Sequence, residues 1–132
     1  MKLLSNGYYI SEGKYFEDWH AGHKDEGYIY SFLKINPNFS FVKIKRRNVN
    51  FDFIAFLKAQ SKEELLKDTS TTYGKYYLKK DNKIHFSHRV MDMWDMEFEL
   101  ELISSELLKD KDGVEYHFIP VDEEKLKGLP EL

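Results

Sequence analysis

Apolar and polar residues alternate with a period of two along most of this chain, in short runs punctuated by turn residues. Tyr28 to Ile35 is turned at Asn36-Pro37-Asn38 into Phe39 to Lys45, and Tyr73 to Leu78 is turned at Asp81-Asn82 into Lys83 to His88. The fullest alternation sets Met96, Phe98, Leu100 and Leu102 against Asp95, Glu97, Glu99 and Glu101, a strand with one apolar face and one acidic face in water. Further strands are expected at Tyr8 to Phe16, breaking at Gly13, at Glu106 to Lys109, and at Val114 to Val121 after the Lys111-Asp112-Gly113 turn. Trp19 to Glu26 is polar, contains glycine and histidine, and reads as a loop. Asp122 to Leu132 reads as a charged tail.

The period changes to a helical one between about Asn50 and Lys67. Phe53, Ile54 and Leu57 share one helical face behind Asn50, the expected N-cap, and Ser61-Lys62-Glu63-Glu64 reads as a capping box opening a second short helix. About eight strands at this spacing point to an all-β fold, because closing the sheet removes the edges that an open one would expose. The expectation is an eight-stranded antiparallel up-and-down barrel, a single domain over residues 1–132, with a short helical insert between the third and fourth strands.

Composition narrows the partners. Charged residues make up 33% of the 132 and the formal net charge is -3, so no basic field draws nucleic acid to the surface. No run approaches the roughly 20 apolar residues of a membrane span. With no cysteine, disulfides and thiolate metal ligation are excluded, which fits a cytoplasmic protein, with an exported form as the alternative, and leaves stability to packing and hydrogen bonding. The first seven residues carry too short an apolar run for a secretory signal.

Aromatic residues make up 16% of the chain, and such side chains serve as core in any β-protein and as ligand walls in a hollow one. Tyr28, Tyr30 and Phe32 on one face of their strand, with Ile29, Leu33 and Ile35 on the other, leave it no polar side. A helix pair, a dimer partner or a ligand must therefore cover what the barrel interior does not. His88 shares an apolar face with Ile84 and Phe86, where a histidine either meets a neighbouring backbone group or faces a ligand. His20 and His23 lie near Asp25 and Glu26, but an H-x-x-H pair without helical spacing is weak as a metal motif, and no metal or other cofactor is expected. Lys43-Ile44-Lys45-Arg46-Arg47 is the one basic cluster, and Arg46 continues the apolar stripe of Val42 and Ile44. No nucleophile elbow or Gly-rich phosphate loop is present, and no catalytic residues are assigned.

Gly7-Tyr8-Tyr9 opening the first strand, Gly74-Lys75-Tyr76 before Lys83-Ile84-His85-Phe86, and Tyr116-His117-Phe118-Ile119-Pro120 closing the last together resemble the small bacterial lipocalin-like proteins of the calycin group. That resemblance implies an up-and-down barrel whose interior or mouth takes a small hydrophobic or amphipathic molecule without catalysis. The residues expected to line such a cavity are Tyr30, Phe32, Tyr76, Phe86, His88, Phe98 and Tyr116, with Arg46 as the contact for an anionic group. The alternative expectation is an interaction module, its barrel filled solid and its aromatic outer face pairing with a partner or with itself as a homodimer.

Overall fold

The computed structural model describes residues 2–68, 71–90 and 94–130; the last two residues of the charged tail lie outside them. Nine strands follow one another as β1 (Gly7–Ser11), β2 (Lys14–His20), β3 (His23–Ile35), β4 (Ser40–Arg46), β5 (Thr71–Leu78), β6 (Lys83–Val90), β7 (Trp94–Ser104), β8 (Leu107–Lys109) and β9 (Glu115–Pro120). Helices α1 (Phe53–Ala59) and α2 (Lys62–Lys67) separate β4 from β5, and α3 (Glu123–Leu126) follows β9. From β2 to β9 each strand pairs antiparallel with the next. Strand β1 pairs with β9 on one side and with β3 on the other, through Tyr9↔Leu33 and Ile10↔Phe32, which closes an eight-stranded antiparallel barrel.

The ninth strand, β2, stands outside the ring and pairs with the first half of β3 from Lys14↔Ile29 to His20↔His23. This corrects the reading of Trp19 to Glu26 as a loop. Only Ala21 and Gly22 turn there, both at positive φ (48° and 80°). The ribbon is exposed on both faces, so it has no apolar alternation to read, and ion pairs help to hold it: Lys24 Nζ lies 3.1 Å from both Glu17 and Glu26. Because this hairpin adds a strand, the helical insert falls between β4 and β5 rather than between the third and fourth strands.

Register fixes which side chains face inward, since residues directly opposite one another share a face. The inward set runs round the ring through Tyr9↔Leu33, Leu33↔Lys43, Lys43↔Thr72, Gly74↔His88, Tyr76↔Phe86, Phe86↔Phe98, Ile84↔Leu100, Leu102↔Leu108, Leu108↔Tyr116 and Tyr116↔Ser11. Much of that interior is packed solid. Phe86 stacks on Phe98 with centroids 4.6 Å apart and planes 3° from parallel, and meets Phe41 edge-on at 5.0 Å. Gly74 lets β5 and β6 approach closely here, for a Cβ at that position would sit 1.9 Å from the Ser87 carbonyl oxygen. Towards one end the barrel is plugged by tyrosines. Tyr9 Oη donates to the Ser105 carbonyl at 2.7 Å and accepts from the Leu4 amide at 3.0 Å, while Tyr76 Oη donates to the Asn36 carbonyl at 3.2 Å.

A second core lies outside the ring. Phe32, Val42 and Ile44 on the outer face of β3 and β4 are buried beneath Phe53, Leu57 and Leu65 of the two helices. The helix pair is thus what covers the strand that had no polar side. Asp52, rather than Asn50, caps α1 by accepting from the Ala55 amide at 3.1 Å, because the helix starts at Phe53. The Ser61/Glu64 capping box forms as expected, with both reciprocal bonds in place. Among the described residues, no helix is long and apolar enough to cross a membrane.

Candidate functional site at the open mouth of the barrel

The end opposite the tyrosine plugs is framed by the last residues of β4 and β6, the first of β7 and β9, the β8–β9 turn and the root of the β2–β3 hairpin. Two adjoining clefts open there. One, of about 300 Å³, lies between Ser31, Lys43, Lys45, Val114 and Tyr116 on the barrel side and Lys14, Tyr15 and Phe16 on the hairpin. The other, of about 380 Å³, is bounded by Phe98, Leu100, Glu97, Glu99 and the turn residues Asp110 to Asp112. Lys43, Asp110 and Tyr116 belong to both.

Lys43 is the unusual element. It stands on the inward face of β4 opposite Leu33 and Thr72, where packing alone would place an apolar residue. Its Nζ lies 4.6 Å from the centroid of Phe98 and 5.9 Å from that of Tyr116, so the ring faces carry part of the stabilisation that water would otherwise give the ammonium. Among the described residues it makes no ion pair within 4.0 Å. Asp110 is the acidic residue that acts on it, but that carboxylate already accepts from the Asp112 and Val114 amides at 2.9 Å and so serves the turn. Loss of hydration, reinforced by the nearby Lys45 and Lys14, pulls the Lys43 pKa down to about 8.

His88 follows the same logic on the inward face of β6, two strands from Lys43. It points inward opposite Gly74 and Met96, 5.8 Å from the Phe98 ring centroid, and its Nδ1 is buried without a hydrogen-bond partner among the described residues. Burial first and the Lys43 charge second hold its pKa below the ordinary value, so the ring is neutral at pH 7. Burial likewise raises the Tyr116 hydroxyl, which Ser31 partly offsets by hydrogen bonding. The clefts at the mouth therefore present a desolvated ammonium, a phenol and the two hydroxyls of Ser11 and Ser31 on an aromatic wall, with the neutral imidazole of His88 behind Phe98 and bordering neither cleft.

Of the residues the sequence nominated for the cavity, Tyr76, Phe86, His88, Phe98 and Tyr116 do point into the barrel. Only Phe98 and Tyr116 among these border the two clefts; Tyr76 and Phe86 are packed in the core below. Tyr30, Phe32 and Arg46 are on the opposite face, which corrects their placement in the interior. Phe32 is fully buried against Phe53, and the Arg46 guanidinium lies 4.9 Å from the Phe51 ring and 5.1 Å from that of Phe56, tying the helical insert to β4. The sequence signal that could have reversed this parity is the insert itself. A pair of amphipathic helices needs an apolar bed, and Val42 and Ile44 beside Tyr30 and Phe32 supply it.

His20 and His23 face each other across the hairpin end, with His20 Nε2 2.7 Å from Asp18 Oδ2. Among the described residues, no group of three or more histidine or carboxylate side chains converges on a metal position. No protein-family description, no curated protein and no solved structure matches this chain at a significant level.

Proposed function

We propose that this chain is a non-catalytic binding protein of lipocalin-like character, holding a small amphipathic carboxylate in the open mouth of its barrel. The observation that carries the reading is Lys43: an ammonium kept inside a barrel, seated over Phe98 and Tyr116 and bordering two clefts. A carboxylate placed there restores what burial removed, through a charge-assisted hydrogen bond in a poorly hydrated site. The cleft on the hairpin side suits the anionic end, since Lys14, Lys43 and Lys45 outnumber Asp110. Apolar atoms of the ligand would lie against Phe16, Ile29, Val114 and Tyr116. A few placed polar groups in an apolar wall are how such pockets orient ligands, and volumes of this size restrict the ligand to a small molecule.

Titration of a fluorescent carboxylate and its neutral alcohol analogue against wild type, Lys43→Met and Arg46→Ala tests this. Wild type should prefer the carboxylate, and Lys43→Met should lose roughly 1.5–3 kcal/mol of that preference, tenfold or more in affinity. Arg46→Ala should keep the preference, because Arg46 is committed to Phe51 and Phe56 outside the ring. Equal binding of the two probes by wild type would remove the carboxylate from the reading.

A second reading rests on the β2–β3 ribbon, where Trp19, Tyr28 and Tyr15 are 63%, 54% and 49% exposed and β2 has a free edge. Such a surface suits a protein partner or a second copy of the chain. Failure of both probes to bind, with a mass in light scattering that rises with concentration, would favour it.

A further inference from the structure

We propose that Lys43 is also a reactive amine, capturing small aldehydes at the barrel mouth as a reversible imine. The carboxylate reading is not required for this, which needs only the placement of Lys43 and an open route to it. The Nζ lone pair adds to the carbonyl carbon, and the resulting carbinolamine expels its oxygen as water together with the two hydrogens that the amine carried. A C=N bond replaces C=O with no change in oxidation state, so no cofactor is needed.

Three features of the site favour that chemistry over capture by an exposed lysine. First, the amine is held by ring faces rather than by a carboxylate, so no ion pair has to break before it attacks. Second, Phe98 and Tyr116 offer an apolar seat beside Nζ for the remainder of an aromatic or branched aldehyde. Third, the nucleophile exists at neutral pH. The charged groups facing it are Lys45 on its own strand, Lys14 on β2 and Asp110 on the β8–β9 turn, with a neutral His88 on β6. With a pKa of about 8, about a tenth of Lys43 is free amine at pH 7, against about three in ten thousand for an ordinary lysine. Desolvated lysines are the ones that form Schiff bases for this reason.

The test uses benzaldehyde, which has no charge and so does not depend on anion binding. The whole chain is incubated with it and cyanoborohydride at pH 7, and the benzylated lysines are located by peptide mass mapping, folded and in 8 M urea. Lys43 in the folded protein should be labelled at least tenfold faster than any other lysine, and urea should erase the preference. Lys43→Met should retain only the scattered background. Labelling of Lys43 at or below the level of the exposed lysines, or a preference that survives urea, would overturn the proposal.

Discussion

Replacing Lys43 by methionine should make the barrel more stable at pH 7, by as much as about 3 kcal/mol, while removing its preference for carboxylates. The stability gain follows from linkage. Lys43 has a pKa of about 8 in the folded protein against 10.5 when unfolded, and each unit is worth about 1.36 kcal/mol. Below about pH 8 both states carry the proton, and the folded state bears the full cost of keeping the ammonium out of water. Between about 8 and 10.5 the unfolded chain binds more protons than the folded one, so stability rises with pH. Above that range Lys43 is neutral in both states and the cost is gone. Methionine keeps a long flexible chain against Phe98 and Tyr116 and has no charge to desolvate. Urea unfolding of both proteins at pH 7, 9 and 10.5 should show the advantage of Lys43→Met shrinking as pH rises. A methionine variant less stable than wild type at pH 7 would mean that the ammonium is better satisfied than the geometry indicates.

Phe86→Ala should have an effect of similar size and opposite sign. Phe86 is fully buried at the centre of the ring, stacked on Phe98 and edge-on to Phe41. Truncating a buried phenylalanine removes its transfer free energy and leaves a cavity that a closed barrel can collapse only in part, a loss of roughly 3–5 kcal/mol. Set against the roughly 5–15 kcal/mol that holds a typical domain folded, that is a large fraction. The change would appear in urea as a lower midpoint at nearly unchanged slope. It also probes whether the interior below the mouth is solid. A loss under about 1 kcal/mol would point to a barrel hollow around Phe86.

The barrel was legible because its strands alternate and its turns carry the residues turns require. The β7 pattern of Phe98, Leu100 and Leu102 against Glu97, Glu99 and Glu101 needs no tertiary information. The capping box of α2 was equally local. What local pattern could not supply was the parity of β3 and β4. Both faces of β3 are apolar, because one faces the ring and the other the helices, so the alternation that reveals an inner face is absent. On β4 the rule that charges face water actively misleads. It sends Lys43 outside and the Val42–Ile44 stripe inside, whereas the lysine is within and the stripe lies under α1 and α2. Sequence logic tends to fail where a site departs from what packing alone would choose, and the mouth is such a place. The inward orientation of His88, Phe98 and Tyr116 is legible because their strands have one apolar side. Lys14, Asp110 and Ser31 were missed because only closure of the ring gathers them.

The most direct measurement is titration of the Lys43 side chain itself, followed through its 13Cε and 15Nζ resonances in the free protein and with a saturating small carboxylate. Without ligand the midpoint should lie near 8. On binding, the midpoint should climb by about one unit or more, since a ligand held at least tenfold more tightly by the ammonium must raise its proton affinity equally. A Lys43 that titrates in the ordinary lysine range near 10.4, or whose midpoint stays put when the carboxylate binds, would contradict the claim that this half-buried cation is the anchor of the site.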